Sequence, residues 1–393
     1  MAEYGLTGLL TADSPLDEAA RRVVESVARP DDENGRKRRH AHEPLGAEMR
    51  RRVAITGEEM YQQPEKIEET LREERKAVGE LAALLAKQDL NRMFIVGCGD
   101  SWYSALGVRM LFEELLGIPC EPMQALDFAY YYYKLADKHT LVISLSSSGT
   151  VPRTTEAMFM SQAQGAHSVV ISNSPGSPMV KNAPHSLIVH AKREGWPTQA
   201  STALMAMMSQ LGIDMARLQG GSASALDKLE KELYGTPAQV AAVLKNEDAK
   251  MLRVAEREVA SHIYLFAGGG PAYSSAMFGA AKIKELTPDY AFALPQEEYH
   301  HFDSLKAGDP IFVVAPEGRS VPRAKQTAEF GKLALGHVYG VVSSGGSPLL
   351  PYLDEAFELP VMDERLVPIV YTVPLHMFAY HVSVAKFKKA GKW

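Results

Sequence analysis

The sequence predicts an α/β fold made of two tandem units, each a parallel β-sheet flanked by helices in an αβα sandwich, behind an N-terminal helical extension. Three observations carry this. Short, fully apolar runs alternate with amphipathic stretches, the pattern of parallel strands buried on both faces beneath crossover helices. The first run closes in a glycine turn that opens directly into a helical stretch, as a βαβ unit begins. The series then recurs about 170 residues later, the offset from Gly97 to Gly268.

Taken in order, residues 1–55 form the extension. Ser14 to Ala28 reads as one amphipathic helix. Arg29 to His40 has almost nothing apolar to bury and reads as a solvated, flexible arm, its basic run Arg36–Arg39 leaving contact with a partner or nucleic acid as the other reading. The first unit spans 56–218. Pro64 sits at a helix start and leads into Glu65 to Lys87, with Ile67, Leu71, Val78, Leu81, Leu84 and Leu85 near helical spacing. Met93 to Val96 is a strand closed by Gly97-Cys98-Gly99, and a helix follows over Tyr103 to Leu116. Leu141–Leu145 and Ser168–Ser172 read as buried strands, with a helix over Thr154 to Gln164 between them. Residues 219–258 form a helical connector. In the second unit, 259–393, Tyr264 to Gly270 and the helix Ala276 to Leu286 repeat the first strand, turn and helix. Ile311 to Gly318 sits where Val142 to Gly149 sat, His337 to Ser343 echoes the strand at Ser168, and Tyr371 to Lys389 is a closing helix. Setting Gly97 on Gly268 places Glu114 on Glu285. Three elements matching in order favour a duplication over two unrelated α/β domains.

Composition narrows the function. With 393 residues, 46% of them hydrophobic and 23% charged, the chain can bury two cores. A net charge of −6 argues against a general nucleic-acid binder. Cys98 and Cys120 are the only cysteines, giving no disulfide framework and fitting a reducing compartment. The N-terminus carries Glu3, Asp13 and Asp17 rather than a basic start and an apolar core, and the apolar runs are strand-length. The expectation is a soluble, cytoplasmic protein with no membrane partner.

Ser144-Leu145-Ser146-Ser147-Ser148-Gly149-Thr150 follows a strand and precedes a helix. Free N–H groups and the positive dipole end at a helix start bind anions, and small hydroxyl side chains add donors without bulk. An ordinary serine-rich turn and helix cap is the other reading. Position favours binding, because ligands of open parallel sheets sit beyond the carboxyl ends of strands, where Gly97 to Ser101 also lies. A dinucleotide site fits poorly, since the turn lacks the third glycine of G-x-G-x-x-G near Tyr103.

Phe94–Ser101, Gly117–Cys120, Leu141–Thr150, Ile171–Ser177, Ala200-Ser201-Thr202, Gly279–Glu285 and Tyr371–Val382 together resemble the sugar isomerase (SIS) domain. Residues from about 56 to 390 look like the isomerase module of glucosamine-6-phosphate synthase and the related deglycases and amino-sugar deaminases. The resemblance implies two SIS domains, a homodimer, no cofactor and no metal. It implies that Ser101, Ser146, Ser147 and Ser148 hold a sugar phosphate, with Cys98, Gly99, Asp100, Ala200, Ser201 and Lys282 also at the substrate. The family's last hydroxyl is Val151 here, leaving Thr150 to compensate. Asp100 stands where a neutral hydroxyl residue is common; an acid beside a phosphate is unfavourable, so its expected partners are sugar hydroxyls or an amine.

The resemblance also places Glu285 as the acid–base carboxylate and His301 as a histidine that reaches the neighbouring subunit's site. The chemistry suits both: moving a proton between C1 and C2 of an open-chain sugar needs a base that can return it, and histidine exchanges protons near neutral pH. His300 is an alternative to His301, because Phe302-Asp303 replaces the family's Gly-Pro there. His300, His301 and Asp303 also admit a metal reading. Nothing before residue 56 resembles the synthase's glutamine-using domain, Ala203 replaces the lysine usual after Ala-Ser-Thr, and Lys388, Lys389 and Lys392 sit in an unfamiliar context. Glutamine-dependent synthesis and lysine imine catalysis thereby lose support. What remains is deglycation of a phosphorylated ketoamine or deamination of an amino-sugar phosphate through an enaminol, plain aldose–ketose isomerisation, or a non-catalytic sensor of sugar phosphates. Tyr130 to Tyr133 wall the amine side of the pocket or serve the core or an interface.

Overall fold

The computed structural model describes residues 14–27, 44–302 and 304–393. The basic run Arg36–Arg39 and Asp303 lie outside the described residues. β1 (Arg92–Gly97), β2 (Cys120–Gln124), β3 (Thr140–Leu145), β4 (His167–Ser172) and β5 (His185–Ile188) form one parallel sheet in the order β2-β1-β3-β4-β5. β6 (Ile263–Gly268), β7 (Tyr290–Pro295), β8 (Pro310–Ala315), β9 (His337–Ser343) and β10 (Glu355–Leu359) form the second, in the order β7-β6-β8-β9-β10. Shifted by five strands, the two orders are identical, so the repeat in the sequence is a repeat of topology.

One apolar core joins the inner faces of both sheets through the buried helices Gln199–Leu218, Ala223–Arg257, Ala272–Leu286 and Val373–Lys389. The outer faces carry separate clusters, around Phe94, Val142 and Phe128 on the first sheet and Leu265, Val313 and Ile311 on the second. Each sheet is thus covered twice, which is why the central strands β3 and β8 are buried at every position.

Three expectations need correction. The stretch Glu65 to Lys87 is two helices, Gln63–Glu73 and Arg75–Leu85. The break at Glu74 lets its carboxylate accept from the Ile188 N–H at 3.2 Å and lie 2.9 Å from His190 Nε2, tying the helix pair to the edge of the first sheet. The closing helix is likewise split, into Val367–Tyr371 and Val373–Lys389, at Thr372. Pro374 has no N–H to continue the helical ladder, and the Thr372 hydroxyl donates to Ser275 Oγ at 2.9 Å instead. Nor are the apolar runs all strand-length. Val367–Lys389 has the length and composition of a membrane span, but 94% of that window is buried inside the protein as core.

Within the extension, Glu18–Val27 packs on the helix Pro152–Ala163. Helix Ala47–Tyr61 runs through the expected boundary at residue 55 and packs Met49 and Val53 against Trp196, Leu286 and Phe387. Its Glu48, Arg51 and Arg52 thereby reach the cavity beside Ser147 and Ser148.

Candidate active site

Strand order reverses between β1 and β3, so the loops leaving those strands flank a crevice at the carboxyl edge of the sheet. Gly99, at φ 54° and ψ −129°, turns β1 into the helix Asp100–Leu116 through a conformation only glycine adopts at little cost. The loop after β3 is held by its own hydroxyls. Ser146 Oγ accepts from the Gly149 N–H at 3.1 Å, and Ser148 Oγ accepts from the Thr150 N–H and hydroxyl at 3.3 and 3.0 Å. The Ser147 carbonyl accepts from Ser172 Oγ and Ser174 Oγ at 3.2 and 3.1 Å. Gly149 sits at φ 60°, where an added Cβ would stand 2.0 Å from Ser177 Oγ. Gly149→Ala is therefore expected to unseat the loop and cost about 2 kcal/mol, read as a lower melting temperature. An unchanged melt would show that the loop yields freely.

A cavity of about 660 Å3 opens between this loop and the second sheet's helix Ala272–Leu286. Cys98, Gly99, Asp100, Ser101, Ser147, Ser148 and Glu285 all line it, with Val151 at the position where the family's last hydroxyl was expected. Ser146 is buried behind the loop, Thr150 is exposed and bound to Ser148, and neither lines the cavity. Ala200 and Ser201 are buried in the first turn of the helix Gln199–Leu218, also outside the lining.

Lys282 is the feature that sequence reasoning placed but did not explain. It is 1% exposed, and its ammonium donates to Asp100 Oδ2 and Glu285 Oε2, each at 2.5 Å. Asp100 thus meets a buried cation and not only the solvent of the cavity. Burial alone would lower the Lys282 ammonium, but the two carboxylates, Asp100 first, hold it above its ordinary value. Burial pushes the Glu285 carboxyl up to about 7 against the pull of Lys282, with Asp100 adding to the rise. With 31% of its side chain exposed, Glu285 still opens on the cavity. A carboxylate poised near neutral pH at the mouth of a donor-lined cavity can take up and return a proton. Burial and the neighbouring Lys282 keep His376 well below its ordinary pKa.

His300 and His301 are not brought to this cavity within one chain. His301 is 62% exposed with Nε2 3.5 Å from Glu297, while His300 Nε2 lies 2.9 Å from Thr327 Oγ1 and its ring packs on Phe330. These contacts hold His300 within the second unit, and among the described residues no three His, Cys, Asp or Glu side chains gather as a metal set. The tyrosine run does not wall the cavity: Tyr130 contacts Arg153 beside Glu156, and Tyr131 is 71% exposed. The other lining residues went unread in the sequence. They are Glu48, Arg51 and Arg52 from helix Ala47–Tyr61 and the segment Arg193–Pro197.

The sequence pattern of the SIS domain matches residues 84–213 and 258–386. The chain belongs to the SIS domain family. It is 29% identical to the glutamine–fructose-6-phosphate aminotransferase [isomerizing] of Thermococcus kodakarensis and 31% identical to that of Escherichia coli K12, over 84% of this chain in both cases. It covers 54% and 55% of them, so the chain spans about half the length of the curated relatives it matches. In fold it is similar to the C-terminal domain of glucosamine-fructose-6-phosphate aminotransferase from Francisella tularensis, with a TM-score of 0.76 at 24% identity over 84% of this chain and 96% of that one. It is also similar to glucosamine-6-phosphate deaminase from Thermotoga maritima, with a TM-score of 0.65 at 18% identity over 84% and 94%.

The two SIS copies are not equivalent at their crevices. In the second SIS domain Pro316 stands where the first has Ser147, and Glu317 where it has Ser148. Glu114, the counterpart of Glu285, accepts from Arg319 at 2.7 Å and lies 3.9 Å from Arg365. An acid in the anion loop and an arginine-paired carboxylate disfavour a second sugar-phosphate site there.

Proposed function

We propose that this SIS protein is an enzyme that moves a proton between C1 and C2 of a phosphorylated ketoamine or amino sugar and so releases the amine. The observation that carries this reading is that Glu285, backed by the buried Lys282, faces the same cavity as the serine loop. In a fructosamine 6-phosphate, Glu285 takes a proton from C1 to give the enaminol and delivers it to C2. The product is the aldose imine, whose C=N bond water cleaves to aldose 6-phosphate and free amine. An amino-sugar phosphate runs the mirrored course, C2 to C1, and releases ammonia from a C2 imine. Ser101, Ser147 and Ser148 hold the phosphate, and the Asp100–Lys282 pair keeps Glu285 in place.

His301, exposed beside Phe302, is assigned to the site of a second copy, where it protonates the ring oxygen on opening or the leaving amine. The working protein is then a cytoplasmic homodimer, in keeping with two free cysteines.

A panel of fructosamine 6-phosphates and hexosamine 6-phosphates, followed for free amine and free hexose phosphate, tests the reading. Amine release from at least one member is expected. Ketose–aldose interconversion without amine release would replace it with plain isomerisation, and binding without turnover of any member would replace it with a sensor.

A further inference from the structure

The chain between β5 and the helix Gln199–Leu218 is irregular, yet Arg193–Pro197 forms part of the cavity wall. Among the described residues no main-chain carbonyl accepts from the N–H groups of Glu194, Gly195 or Trp196. Side chains of helix Ala47–Tyr61 take all three. Glu59 Oε1 accepts from the Glu194 N–H at 2.8 Å and Oε2 from the Gly195 N–H at 3.2 Å, while Thr56 Oγ1 accepts from the Trp196 N–H at 2.8 Å. The Thr56 hydroxyl spends its own proton on the Arg52 carbonyl at 2.8 Å, which leaves its oxygen free to accept. From the same helix Arg52 Nη2 donates to the Gly195 carbonyl at 3.3 Å, and its guanidinium carbon lies 3.9 Å over the Trp196 ring. Gly195 approaches so closely that a Cβ there would stand 2.5 Å from Thr56 Oγ1.

Successive backbone N–H groups form a concavity that binds anions, and here the protein fills it with its own carboxylate. That arrangement costs stability. Glu59 is 5% exposed, and burial raises its carboxyl above the ordinary value. The two N–H donors pull it back down, and beyond them the charges of Glu194 and Arg193 act in opposite senses. A carboxylate kept in so unfavourable a place, holding a wall of the site, is the kind of local cost that functional sites carry.

We propose that Glu59 and Thr56 are positioning residues for the substrate, holding Glu194–Trp196 as a fixed wall so that the substrate meets a preformed pocket. This rests on the site assigned above but not on release of the amine. A preformed wall spares the substrate the ordering of that segment, so its loss shows in binding rather than in chemistry. Glu285 and Lys282 are carried by a different helix, Ala272–Leu286. Helix Ala47–Tyr61 lies outside the residues that match the SIS pattern, so it is the extension that completes the site.

The first measurement is amide hydrogen exchange on peptides covering residues 192–198. Glu59→Gln keeps one acceptor oxygen and turns the other into a donor facing an N–H. It is expected to speed exchange at Glu194–Trp196 by about 10-fold or more, with β1 and β3 unchanged. For a fructosamine 6-phosphate its KM should rise by on the order of 10-fold while kcat stays within about threefold. If Glu59→Gln fails to fold, two variants of Thr56 decide. Thr56→Val keeps the shape but loses the acceptor and should raise KM, whereas Thr56→Ser keeps the acceptor and should restore it to within about twofold of wild type. Unchanged exchange overturns the proposal, because the side chains then hold nothing. Faster exchange with an unchanged KM overturns it too, because the substrate then makes no use of the wall.

Calorimetric binding of fructose 6-phosphate separates this proposal from the reaction. Affinity about 10-fold weaker in Glu59→Gln keeps the positioning role even where no conjugate releases its amine. Equal affinities alongside amine release by the wild type would keep the reaction and sink the positioning role.

Discussion

Glu285→Gln is expected to lower kcat for amine release by on the order of 100-fold or more while leaving the fold and substrate affinity in place. Glutamine keeps the shape and can still accept from Lys282, but it cannot accept and return a proton. The pH profile adds a second signature. Burial holds the Glu285 carboxyl up at about 7, so below that value it carries the proton and cannot act as the base. Wild-type kcat/KM should therefore rise between pH 6 and 8 and level off above, whereas the residual rate of Glu285→Gln should lack that rise. Activity within about threefold of wild type in the variant would exclude Glu285 as the proton carrier, given the size of general-base effects.

What made this fold legible was burial on both faces. β1, β3, β4, β6, β8 and β9 are near-continuous apolar runs because helices cover them twice, and each was readable as a strand. The edge strands were not. β2 is Cys-Glu-Pro-Met-Gln, with one buried residue and a proline tolerated because one side of it pairs with nothing. β7 and β10 mix exposed and covered positions without regular alternation over six and five residues, so no strand period stands out from a loop.

The site was legible where residues sit in local patterns, as in the serine loop and Lys282-Ile283-Lys284-Glu285. It was illegible where it depends on chain return. Asp100 and Lys282 are 182 positions apart, and nothing local to either announces their ion pair. Arg52 lies in a stretch whose mean burial pattern is weak, and only the fold of helix Ala47–Tyr61 onto Trp196 and Phe387 brings it to the cavity. The split of the long helix at Glu74 has the same origin, a carboxylate whose partners, Ile188 and His190, lie over 110 residues away.

Lys282→Met should expose how far the site depends on that long-range pair. The ammonium is 1% exposed between Asp100 and Glu285, whose side chains are 15% and 31% exposed. Methionine fills the volume but leaves two carboxylates facing one another without a cation. Breaking a buried pair by removing one partner costs roughly 3 kcal/mol, because the stranded charge is what is unfavourable. That cost must depend on pH. Without Lys282 the Glu285 carboxyl loses the cation that draws it down and rises further above its ordinary value, so the folded state binds an extra proton. The variant is then close to wild type below about pH 3, where carboxyls are neutral even when unfolded, and loses stability progressively as pH rises from the unfolded carboxylate range to the raised Glu285 value. Melting temperatures of the two proteins should converge near about pH 3 and diverge by pH 8. Asp100→Asn in the Lys282→Met background should recover part of the gap, since one of the two facing charges is gone. Activity should fall as well, with the rising limb of the pH profile displaced to higher pH as Glu285 loses the cation that draws its pKa down. A stability gap that stays constant with pH would mean that Lys282 matters for packing alone and that the carboxylates do not share a charge through it.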